Sequence, residues 1–534
     1  MPRIKGLKVW FRGEGGKATD RLRRPAGGAG EAVRRACEPA TKADTPLERL
    51  IRVPIWRYFR HPPAPPTLVP ADARPPSDLS SPSASRERRE QADAAVASTE
   101  GALWERLTEI LPYRRCITGE GLRDTLRAIG RRVPIEITEV PSATPVLDWT
   151  VPPEWRVHEA YIARPDGTRV VDWATSPLHL VQYSSSVRRR MPLREARAHL
   201  HTLPDHPDWI PYRTDYYSDG WGFCLRQRTL DELAAEGGED AELELVIDAE
   251  HVEGSLSYGE VVVPGRSHDE ILISAHACHP ALANDNASSI AVATALAEEL
   301  VAGPTPRHTV RFVFAPGTIG AIAWLDRNRP HVERLRHGLV LANLGDAGGF
   351  TYKRTRRGTL GAAADVDRAV VQVLRGRGLA HEIRPFDPFG YDERQYGSPG
   401  FDLPVGRLTR TPHGEYPEYH TSADDLSLVS PAALVESLSV LREVVAVLDG
   451  EERLVSRHPF GEPQLGRRAL YHHPDGRPHG AELQAAIGWV LNLSDGRHGL
   501  RDVADHSGLP FATVRAAADR LLDAQMLTRP TAPR

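Results

Sequence analysis

Apolar runs and amphipathic segments alternate along the second half of the chain. Four short runs rich in β-branched and aromatic residues predict strands: "EILISA", "HTVRFVFA", "HGLVLANLG" and "LPVGRL". Apolar residues recur at helical spacing in "NASSIAVATALAEELV", "IGAIAWLDRN", "DVDRAVVQVLRGRG" and "PAALVESLSVLREVVAVLDG". Strands that alternate with helices are typical of α/β proteins, so this pattern predicts a doubly wound, mostly parallel sheet with both faces covered.

The flanking segments have different patterns. "ALWERLTEILPY" and "GEGLRDTLRAIGRRV" predict two helices that open the α/β domain, which we assign to residues 99–145 and 266–454. Short aromatic and β-branched runs with turn signals predict an inserted β-rich domain over residues 146–265. Three helical segments with a glycine-containing turn predict a winged helix in residues 455–534.

Residues 1–98 are rich in Arg, Pro, Ala and Ser and lack a sustained apolar period, which predicts a disordered basic leader. A basic tail for an acidic partner and a wrongly assigned start codon are the alternatives. The rest of the chain has an acidic balance, which disfavours nonspecific nucleic-acid binding by the main body.

Cysteine usage and hydropathy indicate the compartment. Four cysteines in 534 residues do not suggest a disulfide framework. We find neither a signal peptide nor an apolar stretch of membrane-spanning length. We therefore expect a cytoplasmic protein without a membrane partner.

The charge of the C-terminal domain bears on its role. Residues 482–530 hold five Arg and no Lys against six acidic residues. A surface that reads phosphates needs clustered excess basic charge. DNA binding is therefore disfavoured, and we expect a module for docking to a protein partner or for homo-oligomerisation.

Ligand-type side chains leave several strand ends. His276 ends the strand "EILISA", Asp285 opens the next helix, Asp346 follows "LVLANLG", and His420 precedes a later helix. Sites of α/β sheets lie at the carboxyl ends of strands, and imidazole with carboxylate is the ligand mixture of catalytic zinc. His279 is an extra candidate ligand, three residues from His276.

"HACHPALANDNASS", "ANLGDAG" and "YHTSADDL" resemble the metal motifs of MH-clan zinc aminopeptidases. "IPYRTDYYSDGWGFC" and "FTYKRTRRG" extend the resemblance to bacterial aminopeptidase-like proteins with an inserted β-rich domain of unknown function and a C-terminal winged helix. The resemblance implies one or two zinc ions. His276 and Asp346 would bind one ion, Asp285 would bind or bridge, and His420 would complete the site or hold a second ion. Cys278 replaces the aspartate that usually orients the ligand histidine.

One departure from that family concerns the general base. Aminopeptidases of the clan have two adjacent glutamates after the strand "HTVRFVFA", whereas this chain reads "PGTIG". Water activation needs a base within hydrogen-bond reach. Asp392, Glu393, Glu415 and Glu418 are the nearest carboxylates in sequence, and we select Glu393 because its loop is rich in polar and aromatic residues.

Basic and aromatic side chains predict recognition of an anionic substrate group, because Arg binds carboxylate or phosphate bidentately. The substrate-binding candidates are Arg354, Arg356, Tyr391, Arg394 and Arg407. The resemblance implies a zinc-dependent aminopeptidase-like hydrolase, and we expect a small peptide or aminoacyl conjugate as substrate, with the β-rich insertion walling the cleft. The alternative is a noncatalytic metal- or ligand-binding protein whose C-terminal module binds a partner or DNA.

Overall fold

The structure is a computed structural model that describes residues 82–468, 470 and 480–530. Its helices are α1 (Pro82–Ile110), α2 (Glu120–Gly130), α3 (Leu193–Ala196), α4 (Gln227–Gly237), α5 (Ser289–Ala302), α6 (Ile319–Asn328), α7 (Arg356–Leu360), α8 (Asp365–Gly376), α9 (Glu393–Tyr396), α10 (Pro431–Gly450), α11 (Ala481–Leu493), α12 (Leu500–Ser507) and α13 (Phe511–Asp523).

The strands follow the same order. They are β1 (Glu136–Pro141), β2 (Pro145–Val146), β3 (Trp149–Thr150), β4 (Glu154–Ala163), β5 (Arg169–Asp172), β6 (Val187–Pro192), β7 (Leu200–His201), β8 (Phe223–Cys224), β9 (Glu242–Val252), β10 (Ser255–Val263), β11 (Glu270–His276), β12 (Thr309–Ala315), β13 (Leu335–Leu341), β14 (Phe350–Lys353), β15 (His381–Arg384), β16 (Val405–Thr409), β17 (Arg453–Ser456), β18 (Asp495–Gly499) and β19 (Leu527–Thr528).

An eight-stranded mixed sheet forms the centre, in the order β1-β10-β12-β11-β13-β16-β14-β15. The middle strands β12, β11, β13 and β16 are parallel to one another. Antiparallel pairing occurs on both sides, where β10 joins β12 and β14 joins β16. The predicted α/β class with a mostly parallel sheet is confirmed. The short strands β14 and β15 were not predicted, because four residues carry too short a pattern.

Both faces of the sheet are buried, as the continuous apolar run of β11 predicted. Ile271 and Ile273 of β11 pack in one apolar cluster with α1, α5, α8 and α10, whereas Leu272 packs in another cluster with α6. Side chains of a strand alternate between faces, so a strand covered on both sides needs apolar residues at every position. The carboxyl end of β11 then emerges between the two layers.

The β-rich unit has its own four-stranded antiparallel sheet, in the order β5-β4-β9-β6. Its last strand, β9, is followed at once by β10, which pairs with β1 and β12 of the central sheet. The predicted insertion ended at residue 265, but β10 already belongs to the α/β domain because its backbone hydrogen bonds complete that sheet.

The ends of the described chain refine two further predictions. The predicted leader, residues 1–98, lies outside the described residues as far as position 81, and α1 already begins at Pro82. The segment "QADAAVASTE" favours a helix, because Ala, Gln and Glu have high helix propensity. At the other end, α11, α12 and α13 pack with a small sheet of order β18-β17-β19, which is the predicted winged helix.

The winged helix shares a core with the α/β domain. Phe511 and Val514 of α13 belong to the same buried apolar cluster as Leu448 of α10. In residues 82–468, 470 and 480–530, no helix is long and apolar enough to cross a membrane.

Candidate metal centre

A break in helical geometry brings His276 and Asp285 together. His276 is the last residue of β11, and an irregular turn, Ala283–Ser288, precedes α5. Within this turn Asp285 has φ −106° and ψ 85°, outside the helical region. Its carboxylate therefore faces the strand end, and Oδ1 of Asp285 lies 2.9 Å from Nε2 of His276.

Three histidine rings surround this carboxylate. Nδ1 of His279 lies 3.1 Å from Nε2 of His276 and 3.6 Å from Oδ2 of Asp285. Nε2 of His420 lies 3.1 Å from Oδ2 of Asp285. A tetrahedral zinc ion with bonds of about 2.0–2.1 Å keeps its ligand atoms roughly 3.4 Å apart. The spacings therefore fit a metal ion, and His279 is a full member of the group, whose described candidates in mutual reach are His276, His279 and Asp285.

Burial and charge set the protonation of the group. Burial alone raises the pKa of Asp285, but the electrostatic interaction with His279 and hydrogen bonds from His276 and His420 outweigh it and hold the pKa well below its usual value. Burial lowers the pKa of His279 well below its usual value, and the Asp285 charge offsets this only in part. An ionised carboxylate and a neutral imidazole are the forms that bind metal ions.

Two buried charged side chains support the backbone of the centre. The Asp424 carboxylate accepts hydrogen bonds from the backbone amides of Asn284, at 2.6 Å, and Asp285, at 3.0 Å. Burial and the Asp285 charge raise the pKa of Asp424 to about 8. Arg115 donates from Nε to the carbonyl oxygen of His279 at 2.7 Å. Sequence reasoning missed both residues. Asp424 stands in the motif "YHTSADDL", whereas nothing local marks Arg115.

Asp346, which the motifs predicted as a ligand, is not a member of this group. Its Oδ1 accepts a hydrogen bond from the Thr411 hydroxyl at 2.6 Å, and its Oδ2 accepts one from Nδ2 of Asn284 at 3.0 Å. Both oxygens are thus engaged in tying the loop after β13 to the turn that carries Asp285. The predicted ligand role of Asp346 therefore stays a prediction, whereas His279 lies beside His276 and joins the candidate group.

Glu393, the predicted base, lies in a buried ion-pair cluster. Its Oε1 accepts a hydrogen bond from Nζ of Lys353 at 3.0 Å and lies 3.4 Å from Nη1 of Arg407. The side chain is fully buried. Because this carboxylate compensates two buried cations, its surroundings indicate a structural role instead of the predicted catalytic one.

Asp392 lies beside the segment "PGTIG", where the sequence departs from the aminopeptidase pattern. A Cβ built on Gly317 would stand 3.6 Å from Oδ1 of Asp392 and 3.2 Å from Cβ of His276. Within the described residues, neither carboxylate oxygen of Asp392 has a hydrogen-bond partner. Burial raises the pKa of Asp392 to about 7, and the charge of His276 opposes the rise. A carboxylate from a distant loop thus stands beside Gly317, where a side chain is missing.

Two of the predicted substrate-binding residues lie at the centre. The Tyr391 ring stacks on the His276 ring, with centroids 4.9 Å apart and planes at 17°. The Arg407 guanidinium lies 5.5 Å from the centre of the Tyr391 ring, and His413 meets the same ring edge-on at 5.2 Å. These three residues extend from the histidines toward the ion-pair cluster.

The other three have different surroundings. Arg356 forms an ion pair with Asp402 at 2.8 Å. Arg354 directly follows Lys353, the last residue of β14, and is half-buried. Arg394 has a buried Nε without a partner among the described residues. Sequence reasoning selected Arg354 and Arg356 from the basic run "YKRTRRG". In the structure, Lys353 is the residue of that run whose charged side chain is buried.

The β-rich unit forms one wall of the centre, as predicted. The Tyr212 ring meets the rings of His279 and His420 edge-on, with centroids 5.2 Å and 5.0 Å away. The backbone N–H of Tyr212 donates to the carbonyl oxygen of His420 at 2.7 Å. The Tyr212 hydroxyl donates to Oε1 of Gln182 at 2.8 Å, which holds the ring in place.

Comparison with known proteins agrees with this architecture. A family model described as a domain of unknown function, DUF4910, matches residues 104–451. The chain belongs to the DUF4910 family. A second model, described as winged helix-turn-helix, matches residues 452–529. A Clostridium acetobutylicum protein is 40% identical over 431 residues, which cover 81% of this chain and 97% of the relative. Its name provisionally assigns it to polysaccharide biosynthesis and gives it an aminopeptidase-like domain.

A crystal structure of a C. acetobutylicum protein, provisionally described as a peptidase, has a TM-score of 0.76 at 39% identity and covers 83% of this chain and 100% of its own. The zinc aminopeptidase BSAP of Bacillus subtilis has a TM-score of 0.49 at 11% identity, covering 65% of this chain and 94% of its own. The predicted resemblance is confirmed: this DUF4910 member has an aminopeptidase-like fold and a C-terminal winged helix.

Proposed function

We propose that this protein is a metal-dependent amide hydrolase with zinc at the His276–His279–Asp285–His420 centre. One observation carries the proposal: four donor side chains converge at spacings of 2.9 to 3.6 Å, with different histidines beside the two oxygens of Asp285. Bound zinc would polarise a carbonyl group and lower the pKa of water. A carboxylate with a histidine at each oxygen can serve one ion or bridge two.

Asp392 supplies the base in this proposal. Its carboxylate lies next to His276 and Gly317 without a competing hydrogen bond in the described residues, so it can accept a proton from water and pass it to a leaving amine. The stacked Tyr391 ring and the Tyr212 wall restrict the orientation of the imidazoles and the access of bulk water.

The substrate carries a polar or anionic group near the scissile bond. In the described residues, Nε of Arg407 and Nδ1 of His413 are buried without a hydrogen-bond partner, and both side chains contact Tyr391. Buried polar atoms are rarely left unpaired, which indicates that a ligand completes them. A carboxylate of a short peptide or an aminoacyl conjugate has the chemistry for this position.

Metal analysis with paired variants tests the proposal. We expect one or two zinc ions per chain in the wild type, loss of zinc in His276→Ala and His279→Ala, and retention of zinc in Asp346→Asn. Asp346→Asn is the matched control, because the sequence motifs predict Asp346 as a ligand while both of its oxygens are hydrogen-bonded to Asn284 and Thr411. Metal-dependent release of amino acids from a dipeptide library is the activity measurement. Retention of zinc by His279→Ala, or absence of release at full zinc occupancy, would contradict the proposal.

A noncatalytic metal-binding protein is the second candidate. The segment after the strand "HTVRFVFA" reads "PGTIG" and lacks the two adjacent glutamates of the aminopeptidases, which favours this alternative. It predicts bound zinc without turnover of any peptide, and unchanged ligand affinity in Asp392→Asn. An Asp392→Asn variant with lost turnover would exclude it.

For the winged helix we propose a docking role within the protein instead of DNA recognition. Arg515 of α13 forms ion pairs with Glu452 at 3.1 Å and with Asp519. Arg501 and Arg529 are paired with Asp365 and Glu452. Paired guanidinium groups have little charge left for phosphates. A salt-dependent shift of duplex DNA by the full chain would contradict this role.

A further inference from the structure

A cavity lies at the opposite edge of the central sheet from the metal centre. It has a volume of about 1180 Å³ and is lined by the segments that precede β11 and β12, the start of β13, the end of α10 and the start of α12. The metal centre lies at the carboxyl end of β11, whereas this cavity lies at the amino ends of the strands. We name it the α10–α12 cavity. Its lining comes from both the α/β domain and the winged helix.

Arginine dominates the charge of the α10–α12 cavity. Eight arginines line it, against six carboxylates. The carboxylates are already engaged. Asp269 pairs with Arg336 at 2.8 Å, and Asp502 pairs with Arg368 at 2.6 Å. Asp365 and Glu452 pair with other arginines of the lining. Asp449 and Glu451 accept hydrogen bonds from backbone amides of the lining. The excess charge of the cavity is therefore positive.

Some of the basic groups of the lining are not engaged. The Arg266 and Arg453 side chains are exposed and form no ion pair or hydrogen bond with the described residues. Two buried nitrogens of the lining also lack a partner there: the donor Nε of Arg501, a residue that is 2% exposed, and Nδ1 of His337, a residue that is 8% exposed. Exposed cations at the rim and unpaired buried nitrogens below them are the features of a site for an anion.

We propose that the α10–α12 cavity binds a multiply charged small anion that bears phosphate groups. Arg266, from the loop before β11, and Arg453, from β17, would contact it from the α/β domain and from the winged helix. Guanidinium groups match the planar edges of phosphate oxygens, and two such groups on different domains select a ligand with more than one charge. A bound anion would then hold the winged helix to the α/β domain, because it binds only the docked arrangement. The site is independent of the proposed hydrolase function.

Calorimetric titration of the full chain with inorganic pyrophosphate tests the proposal. We expect saturable binding that weakens at least about 10-fold in the double variant Arg266→Gln/Arg453→Gln, because each residue supplies a charge-assisted contact. Both side chains are exposed, so the variant should fold normally. Arg189→Gln is the matched control, since Arg189 is an exposed arginine of β6 outside the cavity.

Two further measurements locate the probe. Binding should persist in His276→Ala, because the metal centre is at the other edge of the sheet. Hydrogen exchange should slow in residues 449–453 and 501–502 when pyrophosphate is present, as these residues line the cavity. No binding by the wild type, equal affinity in the double variant, or loss of binding in His276→Ala would each overturn the proposal.

Discussion

At the scale of single residues, the centre depends on which carboxylates are left free to react. Asp285 is ionised and surrounded by histidines, Asp424 holds the backbone of the turn, and Glu393 compensates Lys353. Asp392 alone among these four has both oxygens unpaired. Chemically identical groups thus have different roles, because neighbouring donors decide which carboxylate can accept a proton.

Substitution of Asp392 separates the two candidate bases. We expect Asp392→Asn to lower kcat by about 10²-fold or more, with zinc content retained, because the amide cannot accept the proton. Glu393→Gln should instead lower the melting temperature, because it leaves Lys353 without full compensation. Glu382→Gln, at an exposed carboxylate that also pairs with an arginine, Arg384, is the control. An unchanged kcat in Asp392→Asn would show that another residue is the general base.

At the scale of secondary-structure elements, one buried carboxylate joins three of them. Glu154, the first residue of β4, accepts a hydrogen bond from Nη2 of Arg123 in α2 at 2.6 Å. It also accepts the backbone N–H of Ser255, the first residue of β10, at 3.2 Å. Burial raises the pKa of Glu154, but the hydrogen bonds from Arg123 and Ser255 and the charge of Arg123 together outweigh it and lower the pKa to about 2. The β-rich unit is therefore anchored electrostatically to the α/β domain.

This anchor predicts a pH-dependent stability. Glu154 has a lower pKa in the folded than in the unfolded chain, so its contribution is complete above pH about 4.5 and is lost as the pH falls toward 2. At pH 7, Glu154→Gln should lower the free energy of unfolding by about 2 kcal/mol. The difference from wild type in urea unfolding should shrink as the pH falls below 4.5. Glu159→Gln, at an exposed site of β4, should have a small effect at every pH.

At the scale of the whole molecule, the winged helix and the α/β domain form one apolar core. Phe511, at the start of α13, is 6% exposed and belongs to the cluster that contains Leu448 of α10. Ion pairs between Arg368 and Asp502, at 2.6 Å, add to this contact. Two elements that bury a common core should not unfold independently.

Cooperative unfolding follows from the shared core. We expect Phe511→Ala to destabilise the protein by about 3–5 kcal/mol and to move the main calorimetric transition, including that of the α/β domain. Leu360→Ala, at a residue that is 72% exposed, is the control and should leave the transition unchanged. A separate small transition that moves alone would show that the winged helix is independent.

The sequence by itself determined the α/β class, the winged helix, the β-rich insertion and the part of the centre that lies close in the chain. His276 and Asp285 were predictable because they lie only nine positions apart, at the end of a buried strand and in the turn after it. The likeness of the motifs to zinc aminopeptidases extended this pattern to His420. Local patterns suffice wherever the geometry follows from one element and its ends.

The tertiary structure alone decided which side chains meet between distant segments. Asp392 stands beside Gly317, Tyr212 reaches His420 from the β-rich unit, and Arg115 supports His279 across 164 residues of sequence. The proximity of His279 to His276 was decided in the same way, because the direction of a loop side chain depends on the groups packed around it. The spacing of apolar residues along the sequence predicts which residues are buried. The partner of a buried polar group depends instead on how distant elements pack together.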